Sequence, residues 1–300
     1  MSMKKILIIG GSNIDYFGKS FEKIRPFDSN IGEITVSFGG VARNICENLA
    51  RLQLPVTFVT TIGTDAISQA LVNELKELGV SVIVPEEKGL STGGYLAIHN
   101  PEGDMELALC DQQSIKALSK SYLQSISQII KSCDYLVIDT NLEIEVIDYL
   151  LTCYQDKIII MDAISTRKAE KLAHKVDKID YLKCNVLEAE AIVGKQSSKE
   201  KLLKEFQKQN AKNIIITDKE KEIAYLEKGT IGTVLVTSVD SKEIVNATGV
   251  GDAMLSGIIY GIVKGRPLQQ AIEYGKKLAS LTLKSKEANN KTLTKALLEE

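Results

Sequence analysis

The chain has 300 residues, of which 44% are hydrophobic and 25% are charged, so it is long and apolar enough to bury a large core. Its net charge of −2 excludes the basic surface typical of nucleic-acid-binding and membrane-surface proteins. The first apolar run, Ile6 to Ile9, is too short for a secretion signal or a membrane span, and we predict a buried strand there. The five cysteines lack metal-ligand spacing, which indicates reduced thiols in a cytoplasmic protein.

Short apolar runs alternate along the chain with segments of helical period. The runs are apolar at successive positions, as in strands that are buried on both faces of a sheet. The predicted strands cover residues 5–10, 56–62, 80–84, 135–139, 158–162, 180–184 and 213–217. The predicted helices cover residues 39–54 and lie near 66–79, 115–132, 143–152, 166–175, 199–210, 252–264 and 267–285. This alternation predicts an α/β protein with a mostly parallel sheet and helices on both faces.

Residues 12–38 and 92–111 interrupt this alternation. Both segments contain short extended pieces without a helix between them, and the turn 101-PEGD-104 indicates a hairpin. We expect these pieces to form a small separate sheet that serves as a lid or as an interface.

The stretch 249-GVGD-252 places a carboxylate directly after a glycine turn, where a helix is predicted to start. The unpaired N–H groups of a helix N-terminus bind anions, phosphate above all. Asp252 would then be placed to accept a proton from an attacking hydroxyl while the N–H groups stabilise the phosphoryl charge. The alternative is that Asp252 only stabilises the helix dipole, and the local pattern leaves both interpretations open.

Two further polar clusters are predicted at the carboxyl edge of the sheet. Gly39 and Gly40 precede the helix that carries Asn44, and Asn13 and Asp15 follow the first strand. Ligands of open parallel sheets bind at the carboxyl ends of the strands, so the three clusters can converge there. Carboxylate and amide groups together suit the neighbouring hydroxyls of a sugar. Each residue alone is more typical of a turn or a cap, and only their joint presence indicates a site.

Three motifs resemble those of the ribokinase-like (PfkB) sugar and nucleoside kinases. They are 39-GGVARN-44, 185-NVLE-188 and 246-NATGVGD-252, and the resemblance runs over essentially the whole chain. It implies a ribokinase-like three-layer α/β/α core in a single domain, 1–300, with the two inserted segments as a β-sheet lid. It also implies a nucleoside or sugar substrate, no nucleic-acid or membrane partner, and a homodimer formed through the lid. Within the family, 39-GGVARN-44 and the lid segment 95–115 are most similar to pseudouridine kinases.

The resemblance implies an ATP-dependent kinase in which Asp252 takes the proton from the primary hydroxyl of the substrate. The N–H groups of Gly249, Val250 and Gly251 would form the anion hole. The other implied roles are sugar binding by Asn13, Asp15, Gly40, Asn44 and Glu143, nucleotide binding by Asn185, Thr217, Gly249 and Gly251, and contact with Mg²⁺ through water by Asn185 and Glu188. The implied cofactor is therefore Mg-ATP.

The chain departs from the family pattern at three places. Asn246-Ala247 stand where the family often has Asp-Thr, whose carboxylate commonly helps to bind a monovalent cation, so K⁺ activation stays open. The stretch 218-DKEKE-222 replaces the glycines that usually follow the position of Thr217, so the loop beside the nucleotide differs. Val250 replaces a smaller alanine and narrows the pocket slightly.

The substrate stays open among pseudouridine, ribose, another nucleoside and a hexose. Asp111 and Gln112, at the end of the predicted lid, could read the edge of a base. A nucleoside-binding sensor without turnover is an alternative of a different class, and the presence of Asp252 argues against it. A dinucleotide oxidoreductase is disfavoured because 10-GGSNID-15 lacks the third glycine of that fingerprint.

Overall fold

The structure, a computed structural model, describes residues 4–86, 89–219, 221–236 and 238–300. The strands are β1 (Ile6–Ile9), β2 (Asn13–Ser20), β3 (Gly32–Gly39), β4 (Val56–Val59), β5 (Ser81–Ile83), β6 (Gly93–His99), β7 (Met105–Asp111), β8 (Tyr135–Asp139), β9 (Ile158–Asp162), β10 (Tyr181–Asn185), β11 (Asn213–Thr217), β12 (Ile223–Glu227) and β13 (Thr230–Val234). The helices are α1 (Val41–Arg51), α2 (Ala66–Glu77), α3 (Lys120–Ser125), α4 (Ser127–Lys131), α5 (Ile144–Cys153), α6 (Thr166–Ala169), α7 (Val186–Val193), α8 (Lys199–Lys208), α9 (Val250–Val263), α10 (Leu268–Leu283) and α11 (Lys295–Glu299). None of the helices in the described ranges is long and apolar enough to cross a membrane.

Nine strands form one large sheet in the order β13-β12-β11-β10-β9-β8-β1-β4-β5. All seven predicted strands are present, and they pair in parallel from β5 to β11. Successive side chains of a strand enter different layers: Leu7 and Ile9 pack with α5, whereas Ile6 and Ile8 pack with α1 and α9. Helices therefore cover both faces, and the predicted three-layer α/β/α core is confirmed.

The helices α7 and α11 were not predicted, and three further regions of the core differ from the prediction. The predicted helix near 115–132 is a 3-10 turn followed by the short helices α3 and α4, and the hydroxyl of Ser125 bonds back to the carbonyl of Tyr122 where α3 ends. The predicted helix near 166–175 is an α-helix of one turn, α6, that continues into a 3-10 turn. The antiparallel hairpin β12–β13 at the sheet edge was not predicted, although Lys228 and Gly229, both with positive φ, supply a two-residue turn.

The two segments that interrupt the strand–helix alternation form a separate sheet, as predicted. Its order is β3-β2-β6-β7, and the predicted hairpin joins β6 to β7. β2 begins four residues after β1 ends, so this small sheet leaves the core at the carboxyl edge of the large one. Asn13 pairs with both Gly39 and Gly93 there, and a Cβ added to Gly93 would lie 2.5 Å from the Asn13 side chain. The absence of a side chain on both glycines lets the three strands meet.

Candidate active site

The candidate active site lies between β1 and β8, where the strand order of the large sheet reverses. The chain continues from β1 towards β4 on one side and from β8 towards β9 on the other, which opens a crevice outside the carboxyl ends of the strands. A cavity of ≈ 210 Å³ occupies this position. Six predicted site residues line it, namely Asn13, Asp15, Gly40, Asn44, Gly249 and Asp252. The structure thus brings together the three polar clusters that the sequence analysis singled out.

Asp252 lies in the first turn of α9 and faces this cavity. Its Oδ2 accepts a hydrogen bond of 2.8 Å from Nδ2 of Asn44, a buried residue of α1. Two segments that are 208 residues apart in the chain therefore meet at one carboxylate. Asn44 was predicted only as part of the sugar pocket, and the structure adds that it orients Asp252.

The surroundings of Asp252 disfavour its charged form. Its pKa is raised to about 7, mainly by burial and next by the nearby carboxylate of Asp162. The hydrogen bond from Asn44 and the ammonium group of Lys183 act in the opposite direction. A carboxyl group with a pKa near neutrality is suited to general base catalysis, because it can both accept and release a proton at physiological pH.

The turn before α9 presents unpaired backbone donors. Gly249 has φ 76° and precedes the first residue of the helix, and a Cβ added to it would collide with the carbonyl oxygen of Ala288. Glycine is therefore required there by both conformation and space. The N–H groups of Val250 and Gly251 belong to the first turn, where no acceptor exists within the helix. This arrangement can bind an anion next to Asp252.

Lys183 lies beside the same turn and was not predicted. It is buried in β10, its Nζ lies 2.8 Å from Oδ2 of Asp162, and a Cβ added to Gly251 would lie 3.1 Å from that nitrogen. An ammonium group therefore accompanies the backbone donors of α9. Its signal in the sequence is a single lysine within the apolar run 180–184, because a buried amine requires a partner.

Asp15 lies on the side of the cavity that the small sheet covers. Burial raises its pKa to about 6, while the guanidinium of Arg43 acts to lower it. Its Oδ1 is buried and has no hydrogen-bond partner among the described residues. A Cβ added to Gly39 would collide with the Asp15 carboxylate, so that glycine leaves the space the carboxylate occupies. A buried acceptor without a partner is expected to bond to a ligand or to water.

A buried ion pair lies directly behind the site. Arg43 and Glu47 are 1% and 0% exposed, and Nη2 of Arg43 lies 2.6 Å from Oε2 of Glu47. Nη1 of Arg43 donates to Oδ1 of Asn289 at 3.0 Å and to Oδ1 of Asn44 at 3.3 Å. Because Asn44 in turn bonds to Asp252, the guanidinium orients the amide that contacts the candidate base.

Asn185 and Glu188 form a capping box at the start of α7. The backbone N–H of Asn185 donates to Oε2 of Glu188 at 2.8 Å, and Thr217 lies beside Asn185 in the register of β10 and β11. Burial raises the pKa of Glu188, and the carboxylate of Asp162 raises it further. The three predicted nucleotide-side residues thus lie together at the sheet edge, outside the lining of the first cavity.

Asn185 and Glu188 fit a metal ion that is contacted through water rather than bound directly. Within the described ranges, no group of three or more histidine, cysteine or acidic side chains could hold a metal ion by itself. Mg²⁺ usually keeps several waters and binds one or two carboxylates together with substrate phosphates. Burial, and next the carboxylate of Asp162, raise the pKa of Glu188, and a nearby divalent cation would favour its charged form. The donor set therefore fits Mg²⁺ contacted through water.

A second cavity lies on the other side of the start of α9. It measures ≈ 340 Å³, and its lining includes Val236, Ile244, Val250, Met254 and Ala279. It is mostly apolar, as a slot for a flat aromatic ring would be. Of the predicted loop 218–222, Lys219 lines this cavity, and residue 220 lies outside the described residues.

The structure leaves Glu143 apart from the other predicted sugar-binding residues. It is exposed at the start of α5 and is not part of the cavity lining, whereas Asn141, two residues earlier, is. The cavity is also lined by four residues that were not predicted, Tyr95, Ser114, Ile164 and Lys168. Gln112, which was predicted as a residue that could read a base, lines it as well. Asn141 lies two residues after the end of β8 and Asn13 four residues after the end of β1, and this shared position after a core strand was the available signal.

Comparison with known proteins agrees with this geometry. The family described as pfkB family carbohydrate kinase matches residues 3–295. The chain is 29% identical to pseudouridine kinase of Escherichia coli (strain K12), with 96% of this chain and 93% of the relative covered. It is 28% identical to guanosine-inosine kinase of Exiguobacterium acetylicum, with 95% and 96% covered. Ribokinase of Thermotoga maritima, at 21% identity, superposes with a TM-score of 0.87 over 99% of this chain and 98% of its own, which shows the same fold. The chain therefore belongs to the pfkB family of carbohydrate kinases and has the ribokinase-like fold.

Proposed function

We propose that this pfkB-family chain transfers the terminal phosphoryl group of ATP to the 5′-hydroxyl of pseudouridine. One observation carries the proposal: Asp252, with a pKa of about 7, faces a cavity beside the unpaired N–H groups that begin α9. A base and an anion-binding turn in one place are what phosphoryl transfer to a hydroxyl needs. The similarity to pseudouridine kinase supports the choice of substrate.

Different residues of the cavity bind the sugar and accept the proton of its hydroxyl. Asp15, whose Oδ1 has no partner among the described residues, accepts hydrogen bonds from ribose hydroxyls, and Asn13 lies beside it. The 5′-hydroxyl then points to Asp252, which accepts its proton as the oxygen attacks the γ-phosphorus of ATP. The N–H groups of Val250 and Gly251 and the ammonium group of Lys183 stabilise the charge on the transferring phosphoryl oxygens. The products are the nucleoside 5′-phosphate and ADP.

The second cavity is where we place the adenine of ATP. Val250 lines it, and the neighbouring Gly249 lines the first cavity, so the two spaces meet at the turn before α9. Asn185 and Thr217 lie at the same sheet edge and would contact the phosphates. A bound Mg²⁺, contacted through water by Asn185 and Glu188, would neutralise charge on those phosphates.

We include no K⁺ requirement in the proposal. Nδ2 of Asn246 donates to the carbonyl oxygen of Lys286 at 3.0 Å, so a neutral amide joins the two loops where the family often has a carboxylate. We also place the enzyme in the cytoplasm, where ATP is available and free thiols such as the buried Cys46 and Cys184 stay reduced.

The pH dependence of turnover follows from Asp252. A general base must be ionised, and the pKa of Asp252 in the free protein is about 7. We therefore expect kcat/KM to fall about tenfold per pH unit below that value and to level off above it. Initial rates at saturating Mg-ATP between pH 5 and pH 9 measure this profile. A flat profile down to pH 5 would contradict the assignment.

We further propose that the small sheet is a lid and that its outer face forms a homodimer interface. Two cross-strand rows of that face are largely apolar: Val36, Tyr16, Leu96 and Leu109 in one, and Ile34, Gly18, Ile98 and Leu107 in the other. Leu109 is 63% exposed and Ile34 is 74% exposed in the single chain. An exposed apolar patch of this kind is typical of a protein interface.

Leu109→Lys is expected to convert the dimer to a monomer, because it places a charge in the middle of this face. Sedimentation equilibrium at micromolar concentration measures the mass. Leu187→Lys, at a 61% exposed leucine of α7, is the matched control and should leave the mass unchanged. A wild-type protein that sediments as a monomer would contradict the dimer proposal.

Turnover of a substrate panel tests the proposed reaction. It contains pseudouridine, uridine, inosine, guanosine, ribose and fructose, each with Mg-ATP and with either K⁺ or Na⁺. We expect the highest kcat/KM for pseudouridine and equal rates in both salts. Preference for inosine or guanosine would favour the second candidate, a purine nucleoside kinase, which the 28% identity to guanosine-inosine kinase supports. Binding without turnover of any compound would favour the sensor.

A further inference from the structure

Three polar side chains form one wall of the cavity. Nζ of Lys168, on α6, donates to Oε1 of Gln112 at 2.9 Å and to Oδ1 of Asn141 at 2.5 Å. Gln112 follows the last strand of the small sheet and Asn141 follows β8, so the lysine joins the small sheet to the core. All three residues line the same cavity as Asp252.

The lysine determines which atoms of the two amides face the cavity. An ammonium group has only donors, so both amides must turn their oxygen atoms towards it. Their nitrogen atoms then point elsewhere, and neither Nε2 of Gln112 nor Nδ2 of Asn141 donates to another residue in the described ranges. Two N–H groups of the Lys168 ammonium are used in these contacts, which leaves a third that can donate to a bound molecule. The wall therefore has N–H donors that are unpaired among the described residues, while both amide oxygens are turned towards the lysine.

A strained turn precedes the helix that carries Lys168. Ile164 has φ 62°, a left-handed conformation that is rare for a β-branched residue, and its side chain also lines the cavity. Its N–H donates to Oδ1 of Asp162 at 2.9 Å, two residues before α6 begins. Strain of this kind concentrates at ligand sites, where the surrounding structure maintains a required geometry.

An aromatic ring also lines this cavity. Tyr95, on β6 of the small sheet, lines it, and Phe17 packs edge-on against Tyr95 with the ring centroids 6.2 Å apart. A ring beside a row of donors suits a flat heterocycle, which can stack on the ring while its edge meets the donors. A phosphate group has no flat face that could stack on the ring.

We propose that Lys168, Gln112 and Asn141 are specificity residues that select a base with carbonyl oxygens over a base with an exocyclic amine. The inference rests on the proposed nucleoside kinase function and names the chemistry that its cavity reads. A carbonyl oxygen accepts from the N–H groups of the wall, whereas the amine of cytosine or adenine would place donor against donor. The keto bases uracil and hypoxanthine therefore fit, and pseudouridine carries two such carbonyls.

Paired nucleosides that differ only in this group test the inference. We expect kcat/KM for uridine over cytidine, and for inosine over adenosine, to differ on the order of 100-fold in the wild-type protein. Gln112→Glu and Asn141→Asp are isosteric, keep the contact with Lys168 and remove the N–H groups, so each should lower that ratio about tenfold. Activity on ribose, which has no base, is the internal reference for each variant, and we expect the loss on nucleosides to exceed the loss on ribose. Lys175→Met, which breaks an ion pair with Asp148 outside the cavity, is the control and should leave the ratio unchanged.

The outcomes separate this inference from the proposed function. Equal loss on ribose and on nucleosides in both isosteric variants would mean that the wall is structural and would overturn the inference, while the kinase stands. Turnover of a sugar phosphate that Lys168→Met abolishes would make the wall a phosphate site and would also overturn it. If no compound is turned over, calorimetric binding of uridine and of cytidine tests the inference instead. Tighter binding of uridine that Gln112→Glu abolishes would support the specificity role of the wall, although the proposed kinase activity would have failed. Equal binding of the two nucleosides would overturn the inference.

Discussion

Asp252→Asn is expected to lower kcat by about 10²–10⁴-fold while the nucleoside still binds. The amide has the shape of the carboxylate but cannot accept the proton of the attacking hydroxyl. Because Nδ2 of Asn44 can still donate to the remaining oxygen, the cavity should keep its geometry. Rapid-quench turnover and calorimetric binding of pseudouridine measure the two effects separately.

The same variant should be more stable than the wild type at pH 8. The folded-state pKa of Asp252 is raised from 3.8 to about 7, so ionising it disfavours the folded state, and stability is lost as the pH rises through about 7. Asparagine removes this effect, and we expect Tm at pH 8 to rise by about 2–4 °C for each kcal/mol regained. The difference should vanish below about pH 4, where both forms are neutral. Asp156→Asn, at an exposed carboxylate, is the control for both measurements. Near-normal turnover in Asp252→Asn would refute the role of Asp252 as the base.

Glu47→Gln is expected to destabilise the fold by about 3–5 kcal/mol, the usual cost of breaking a buried ion pair from one side. The carboxylate of Glu47 lies 2.6 Å from Arg43, 2.8 Å from Arg51 and 2.9 Å from Lys291. Removing its charge leaves the Arg43 guanidinium buried, and among the described residues Glu74, at 3.5 Å, is then the one carboxylate within salt-bridge distance of it. Urea unfolding at pH 7 measures the change as a shift of the midpoint at constant slope.

The pH dependence of this effect has a definite sign. Burial acts to raise the pKa of Glu47, but the charges of Arg43, Lys291 and Arg51 outweigh it and hold the pKa below its usual value of 4.5. Its contribution is therefore present above that value and is lost as the pH falls below it. Glu205→Gln, which breaks an exposed pair with Lys208, should cost less than about 1 kcal/mol. A similar small cost for Glu47→Gln would show that the buried network contributes little.

Breaking the ion-pair network of Arg43 and Glu47 should also change the geometry of the active site. Arg43 bonds to Asn44, and Asn44 bonds to Asp252, so a displaced guanidinium changes the orientation of the candidate base. We expect Glu47→Gln to lower kcat as well as stability, whereas Glu205→Gln should change neither.

The amino-acid sequence by itself determined the core and the centre of the candidate site. Buried runs such as Ile6–Ile9 predicted all seven parallel strands, because burial on both faces requires apolar residues at successive positions. The glycine turn before Asp252 predicted where an anion could meet a base, since a helix N-terminus follows from local signals. Both features depend on residues that are neighbours in the chain.

Only the tertiary structure decided which side chains meet across the chain. Lys168, Gln112 and Asn141 come from three separate segments, and Arg43 meets Asn289 across 246 positions, so no local pattern could pair them. Their contacts follow from the order of the strands and the packing of the helices, which place distant loops at one edge of the sheet. For the same reason the roles of individual residues at that edge, including Glu143, stay predictions that the proposed substitutions and substrates can test.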